Sequence, residues 1–253
     1  IKPISIGKVA NQNIHGLGAV QGIIITHTDF LSESKRLADY HKQKNGLNIH
    51  VINVTDIYNE FSSGSQDVSA IRDMLRMFYQ KYTSPNDQLK YVTLMGRASY
   101  DYKGNFSKTK TGFVNTNYIP TYEEVNSTDP GSFCTDDFFV CLDDNEGNFA
   151  INRNAGDLMD LGIGRFPIVN LEQAKGIVDK VIYYQTKNSY GDWRNKFTFI
   201  ADDEWTEYQI DFMKTAEYLN NTYLSKFQKF NIQKIYANSY EPLSTAGGKR
   251  FPQ

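Results

Sequence analysis

The residues of this sequence that could do chemistry gather where short apolar runs give way to polar segments. Four places stand out: His27 with Asp29, Arg97 after Gly96, Cys134 with Asp136 and Asp137, and the triplet Asp202, Asp203 and Glu204. His27 has the type of a general base, yet a single histidine at a strand-to-helix junction has the ordinary role of a cap or surface residue. Cys134 and Cys141 are the only thiols. A nucleophilic cysteine needs a histidine and positive surroundings, because the thiolate is the reactive form. Cys134 instead neighbours Asp136 and Asp137, whose charges raise a thiol's pKa, and Cys141 falls inside an expected strand. Neither reads as catalytic. Both are expected to be free, since their odd spacing on one strand turns them to opposite faces.

Asp136, Asp137, Asp202, Asp203 and Arg97 are the candidates for contacting a substrate. Arg97 is expected to find one of these acids within ion-pair reach, which would relieve their repulsion. Three adjacent carboxylates at Asp202–Glu204 cost stability unless they are used. Capping the next helix and serving a site are both open there. Asp143, Asp144 and Glu146 have the composition of a tight turn, and their hard oxygens could also take Ca²⁺, although the spacing of an EF-hand loop is missing. No glycine-rich phosphate motif, zinc-binding HExxH or serine-nucleophile GxSxG occurs. Dinucleotide and phosphate sites are therefore unsupported, and no cofactor is required.

These groups would be positioned by an alternation of strands and helices. Apolar runs near 22–26, 48–54, 89–95 and 161–165 are expected to form one largely parallel sheet. Between them, a helix beginning at Thr28 or Asp29 and stopped by Gly46 carries Leu31, Leu37, Ala38 and His41. A second helix, capped by Asp67, carries Val68, Ile71, Leu75, Phe78 and Tyr82. Residues 55–66 read as a polar loop. Residues 96–137 form a long aromatic segment, and long irregular segments in compact domains tend to be functional. A strand at 138–142 with a turn at 143–147 is expected to make a hairpin excursion. A helix from 171 to 184 follows. Strands at 197–201 and 231–236, with a helix between them, belong to a second sheet. In open parallel sheets ligands bind beyond the carboxyl ends of the strands, and the four chemical clusters lie there.

The chain has 253 residues and a net charge of −2 with acids and bases intermixed, so nothing marks nucleic acid as a partner. Its apolar runs are too short to cross a membrane as a helix. It starts at Ile1, without an initiator Met or a basic, apolar leader, and is expected to begin and end inside a longer protein. The expected division is a lead-in at 1–21 from a preceding domain, a first subdomain at 22–191 and the start of a second at 192–253.

Several of these segments together resemble the gingipain family of caspase-fold cysteine peptidases. The likeness runs through YVTLMG, TDDFF, LGIGRFPIVNLEQA, KVIYYQ and DWRNKFTFIADDE. Within that family IYNEFSSGSQD, LDDNEG and STAGGKRFP are similar to the sortase-type branch of the type IX secretion system. The resemblance implies a three-layer α/β caspase-like fold and a Cys nucleophile with a His base. It places both beyond Gln253, so that the chain alone would be inactive. Glu204 takes the position of the residue that orients the catalytic histidine, the third member of a triad. The activity implied is removal of C-terminal sorting signals from secreted proteins and their attachment to the cell surface. The implied partners are cargo carrying such a signal, outer-membrane secretion-system proteins and the rest of its own polypeptide, at an extracytoplasmic location. The alternative is a non-catalytic gingipain-like scaffold or binding module. The second sheet should then leave an apolar face and an edge uncovered in this chain, around Phe197, Phe199, Ile232 and Ile235.

Overall fold

A computed structural model describes residues 4, 7–124, 132–147, 157–202, 211–241, 243–245 and 248–250. The chain divides into two compact units, Ile1–Ile182 and Tyr183–Gln253, so the division falls ahead of the boundary at 191/192 read from the sequence. In the first unit, β1 (Gly22–Thr26), β2 (Ile49–Asn53), β3 (Tyr91–Met95) and β6 (Gly162–Phe166) form a wholly parallel sheet in the order β2-β1-β3-β6. β1 lies between β2 and β3 and is buried at every residue, which is why its sequence is an unbroken apolar run.

The period of two along β1 sorts the helices into layers. Ile23 and Ile25 pack with α2 (Val54–Phe61) and α3 (Val68–Gln80) through Ile57, Ile71, Met74, Leu75 and Phe78. Ile24 faces the other way, into a cluster with Leu37 and Ala38 of α1 (Leu31–Asn45) and with Ala174 and Val178 of α5 (Leu171–Tyr184). Helices cover both faces, and the result is a three-layer α/β unit.

Local signals set the helix ends. Gly46 adopts φ +69° and closes α1 in the left-handed region. Asp67 accepts from the Ser69 amide at 2.8 Å and starts α3. The first turn of the α1 region is capped by His27, which accepts from the Asp29 amide at 3.3 Å, rather than by Thr28 or Asp29. Residues 54–61 correct the expected polar loop. They form α2, capped by Asn53, because Val54, Ile57, Tyr58 and Phe61 recur at helical spacing and turn inward. Residues 138–142 correct the expected strand. A 3-10 turn at Asp137–Phe139 and the irregular residues after it are buried against α3, held where the Arg72 guanidinium donates to the carbonyls of Cys141 and Glu146. A guanidinium supplying carbonyls from outside the sheet lets buried chain do without a ladder.

The second unit contains β7 (Lys196–Ala201), parallel to β8 (Asn231–Tyr236), with α6 (Phe212–Thr222) between them in sequence. Its small core is Ala201, Ala216 and Tyr236 with Phe199 and Met213. Of the four residues expected to lie uncovered, Phe197 is exposed at 39 % and Phe199, Ile232 and Ile235 are half-buried; Ile200 beside them is 77 % accessible.

The lead-in before β1 is not a loose tail where it is described. Ile14 and Val20 are core residues, and Glu60 of α2 accepts from the Ile14 amide at 2.5 Å, the His15 amide at 3.2 Å and the Gln12 side chain at 3.1 Å. The His15 ring stands 2.6 Å from the same carboxylate. Burial pushes the Glu60 pKa up, but the combined hydrogen bonds from Ile14, His15 and Gln12 outweigh it and hold the group at about 2. A carboxylate depressed in the folded state contributes stability that is fully present above its unfolded pKa, about 4.3. That contribution should fade as pH falls from about 4.3 toward about 2. Glu60→Gln should lower the melting temperature at neutral pH and speed hydrogen exchange at Ile14 and His15. It should also flatten the acid limb of the stability profile between those values. Unchanged exchange at both amides would show that Glu60 does not hold the lead-in.

Candidate functional site

The carboxyl edge of the four-stranded sheet is built around one arginine. Arg165 sits on β6 opposite Leu94 of β3, and its side chain is 12 % accessible. Nε and Nη2 donate to the two carboxylate oxygens of Asp136 at 2.8 and 2.7 Å. Nη1 donates to the carbonyls of Gly96 at 2.7 Å and Ile119 at 2.8 Å, and Nη2 also to that of Pro120 at 3.0 Å. Asp136 accepts in addition from Thr121 Oγ1 at 2.9 Å. A guanidinium offers five donors in a fixed fork, and every one is used here.

Around this fork the long segment after β3 folds back over the sheet. Gly96 has φ +156°, and a Cβ there would stand 2.9 Å from the Cβ of Tyr118, so only glycine lets the two strands of the loop meet. Tyr118 donates its hydroxyl to the Val169 carbonyl at 2.9 Å and packs its ring on His27 and Phe30. The only described helix in this segment is α4 (Asn105–Thr109). It begins where the buried Asp101 carboxylate accepts from the Asn105 and Phe106 amides at 2.7 and 2.8 Å. The segment ends in a two-residue ribbon, β4 (Tyr122–Glu123) with β5 (Cys134–Thr135).

Between this loop, the start of α3 and β4 lies a cleft of about 820 Å³, with Tyr100, Tyr102 and Phe106 on one side and Tyr122 and Glu123 on the other. Burial alone raises the Glu123 pKa, and among the described residues it has no cation within ion-pair reach. A half-buried carboxylate beside aromatic rings can accept a hydrogen bond or hold a cation.

The residues singled out from the sequence are distributed as follows. Asp136 is occupied by Arg165 and Thr121, so its carboxylate organises the loop. Asp137 is exposed and opens the turn leading to Phe139. Arg97 corrects the expectation of an ion pair. Its side chain is exposed with no acid in reach among the described residues, while its backbone pairs with Ile168 and Tyr118. The pair with the acidic segment is made by Arg165 instead. The sequence signal for Arg165 was a lone charge inside an apolar, glycine-flanked strand, GIGRF. Asp144 pairs with Arg76. Glu146 accepts from the Asp143 amide at 3.2 Å and the Leu158 amide at 3.0 Å. No group of three metal-ligating side chains comes together among the described residues. Asp202 is exposed after β7 in the second unit. Asp203 and Glu204 lie outside the described residues.

Both thiols are free. Burial pushes the Cys141 thiol to about 11, with Glu146, Asp157, Asp137 and Asp160 adding to it. Cys134 is exposed on β5, but partial desolvation raises its pKa, and the charges of Glu123 and Asp136 raise it further. A thiol held up by acids is a poor nucleophile at neutral pH.

A model of Peptidase family C25 matches residues 17–253. Among solved structures, the crystal structure of dimeric latent PorU from Porphyromonas gingivalis is similar to this chain, with a TM-score of 0.64 and 33 % sequence identity. The likeness covers 75 % of this chain and 18 % of that one, so the chain spans less than a fifth of the solved relative. No protein of curated function matches it.

Arg165→Ala should leave Asp136 without its counter-charge and three carbonyls without donors. Breaking a buried pair costs about 3–5 kcal/mol, and the partial exposure of this one lowers that to on the order of 2–3 kcal/mol. Arg165→Lys should recover little, because one ammonium cannot reach all five acceptors. Denaturant unfolding measures both. A loss under about 0.5 kcal/mol for the alanine variant, the range of an ordinary surface substitution, would remove the fork from its central role.

Proposed function

This chain belongs to peptidase family C25, the gingipain-like cysteine peptidases, and on that premise we propose that the polypeptide carrying it is a sortase-type peptidase acting on secreted proteins. In this reading it removes a C-terminal sorting signal and joins the new carboxyl end to an acceptor at the cell surface. The observation that carries the reading is the likeness to PorU, whose 33 % identity over 75 % of this chain goes beyond a shared fold.

The chemistry is acyl transfer. A cysteine thiolate attacks the scissile carbonyl, a histidine protonates the leaving amine of the sorting signal, and a thioester forms. An acceptor amine or hydroxyl then attacks the thioester, losing its proton to the same histidine and releasing the thiolate. Cys134 and Cys141 are set aside as the nucleophile by their raised pKa values. Glu204 is the positioning residue: its carboxylate would hold the histidine in the tautomer and orientation that the first step needs.

The test uses the full-length polypeptide and a reporter protein ending in a sorting signal, with the released signal followed by mass spectrometry. Cleavage should stop after thiol alkylation at the catalytic cysteine. Cys134→Ser and Cys141→Ala should keep the rate within about twofold, the behaviour of thiols outside the reaction. Glu204→Gln should lower kcat by at least roughly tenfold and shift its pH profile. Cleavage that survives alkylation sinks the thioester route. A polypeptide that binds the reporter without cutting it establishes the scaffold alternative.

A further inference from the structure

We propose that the loop between β3 and β4 is a membrane-surface contact that seats on anionic lipid headgroups, a role independent of the peptidase reading. From Tyr102 to Tyr122 the sequence contains Lys103, Lys108 and Lys110 and no acid at all. The acid just before this stretch, Asp101, is buried and turned onto the Asn105 and Phe106 amides. The three ammonium groups have no carboxylate partner among the described residues. Lys110 lies 5.0 Å over the Phe106 ring, Lys103 lies 5.3 Å over Tyr102, and Lys108 donates to the Lys103 carbonyl at 3.0 Å. Phe106 and Phe113 are in ring contact at 6.0 Å. These contacts draw the lysines and rings into one patch.

The patch is apolar as well as basic. Phe106 is 41 %, Phe113 49 % and Val114 73 % accessible. Charge complementarity alone would fit any polyanion. The exposed Phe113 and Val114 side chains decide for a lipid surface, because a soluble polyanion leaves them in water while the headgroup region takes them out of it. The lysine stems can follow them inward while keeping the ammonium among phosphates. Lys103 borders the cleft and its acids, but Lys108, Lys110, Phe113 and Val114 do not. They are the residues that should carry the contact. No helix among the described residues is long and apolar enough to cross a membrane.

The experiment is co-sedimentation of the full-length polypeptide with vesicles of phosphatidylglycerol in phosphatidylcholine and with phosphatidylcholine alone. Binding should require the anionic lipid and weaken as salt is raised. The double variant Lys108→Glu/Lys110→Glu should bind at least roughly tenfold more weakly, since each lysine near an anionic surface contributes to the attraction and reversal doubles the change. Lys108→Arg/Lys110→Arg should bind as the parent does. Phe113→Ser/Val114→Ser should also bind more weakly, most clearly at high salt. All variants should keep the parent melting temperature and the parent cleavage rate on a soluble reporter, which separates this surface from the peptidase reading. Three results overturn the proposal: no binding to the anionic vesicles, equal binding by the parent and the glutamate variant, or a serine variant that binds as well as the parent. The last would mark a surface for soluble polyanions.

Discussion

Five N–H groups leave the guanidinium of Arg165, and each meets an oxygen that belongs to the loop over the sheet's carboxyl edge. The loop needs this. Residues 96–121 form almost no regular structure, so their carbonyls have no ladder to enter, and buried carbonyls without donors cost about 1–3 kcal/mol each. Arg165 answers for three of them from one position on β6. Asp136, held by the same fork, brings the β5 end of the loop to its β3 end. A lysine would leave most of these acceptors empty, and an apolar residue all of them. Such a charged pair is a device for fixing one arrangement of chain more than for adding net stability. Here the arrangement fixed is the path of the loop that lines the cleft.

The pattern of side chains explains which parts of this were legible in the sequence. β1 is central and dry on both faces, so GIIIT could hardly be anything but a buried strand. Asp67 and Gly46 are caps whose chemistry works through their immediate neighbours, and they read correctly for that reason. The helix α2 was hidden because its eight residues include Thr55, Asp56, Asn59 and Glu60, which look like loop until Val54, Ile57, Tyr58 and Phe61 are counted at helical spacing. Glu60 itself is polar because it receives the lead-in, a contact 45 or more residues distant in sequence. No local signal encodes such a partner.

The site was legible in part for the same physical reason. That Cys134 is a poor nucleophile could be read in part from Asp136 nearby, since charge acts across a few residues of chain; burial, the larger cause for both thiols, and the charge of Glu123 come only with folding. The choice of Arg97 as the partner of the acids rested on proximity to the strand end. What decides between Arg97 and Arg165 is the side of the strand each one faces. Arg165 lies on the same face of β6 as Ile163, which packs with the α2 and α3 layer. Arg97 lies past the end of β3, where its backbone is already committed to Ile168 and Tyr118 and its side chain extends outward. A charge inside a buried strand is a costlier placement than a charge at its end, and so carries more information about the fold.

The first unit therefore supplies form more than reactivity. Three of its carboxylates near the sheet edge are engaged, Asp136 by a guanidinium, Asp101 by two amides and Asp67 by a helix start, while Glu123 faces the cleft. Its thiols are raised out of the nucleophilic range. Its histidine at the strand end caps a turn and meets the Tyr118 ring edge-on. Groups so fully committed cannot also change protonation or bond to a substrate without loosening the structure they hold. A fold that fixes its edge in this way can vary the loop between the fixed points, because Gly96, Ile119 and Pro120 are held through their backbone oxygens. Lys103, Lys108, Lys110, Phe106, Phe113 and Val114 between those points are exposed and outside the core clusters, so their composition is free to answer to whatever the loop meets, whereas Tyr118 is held by Phe30.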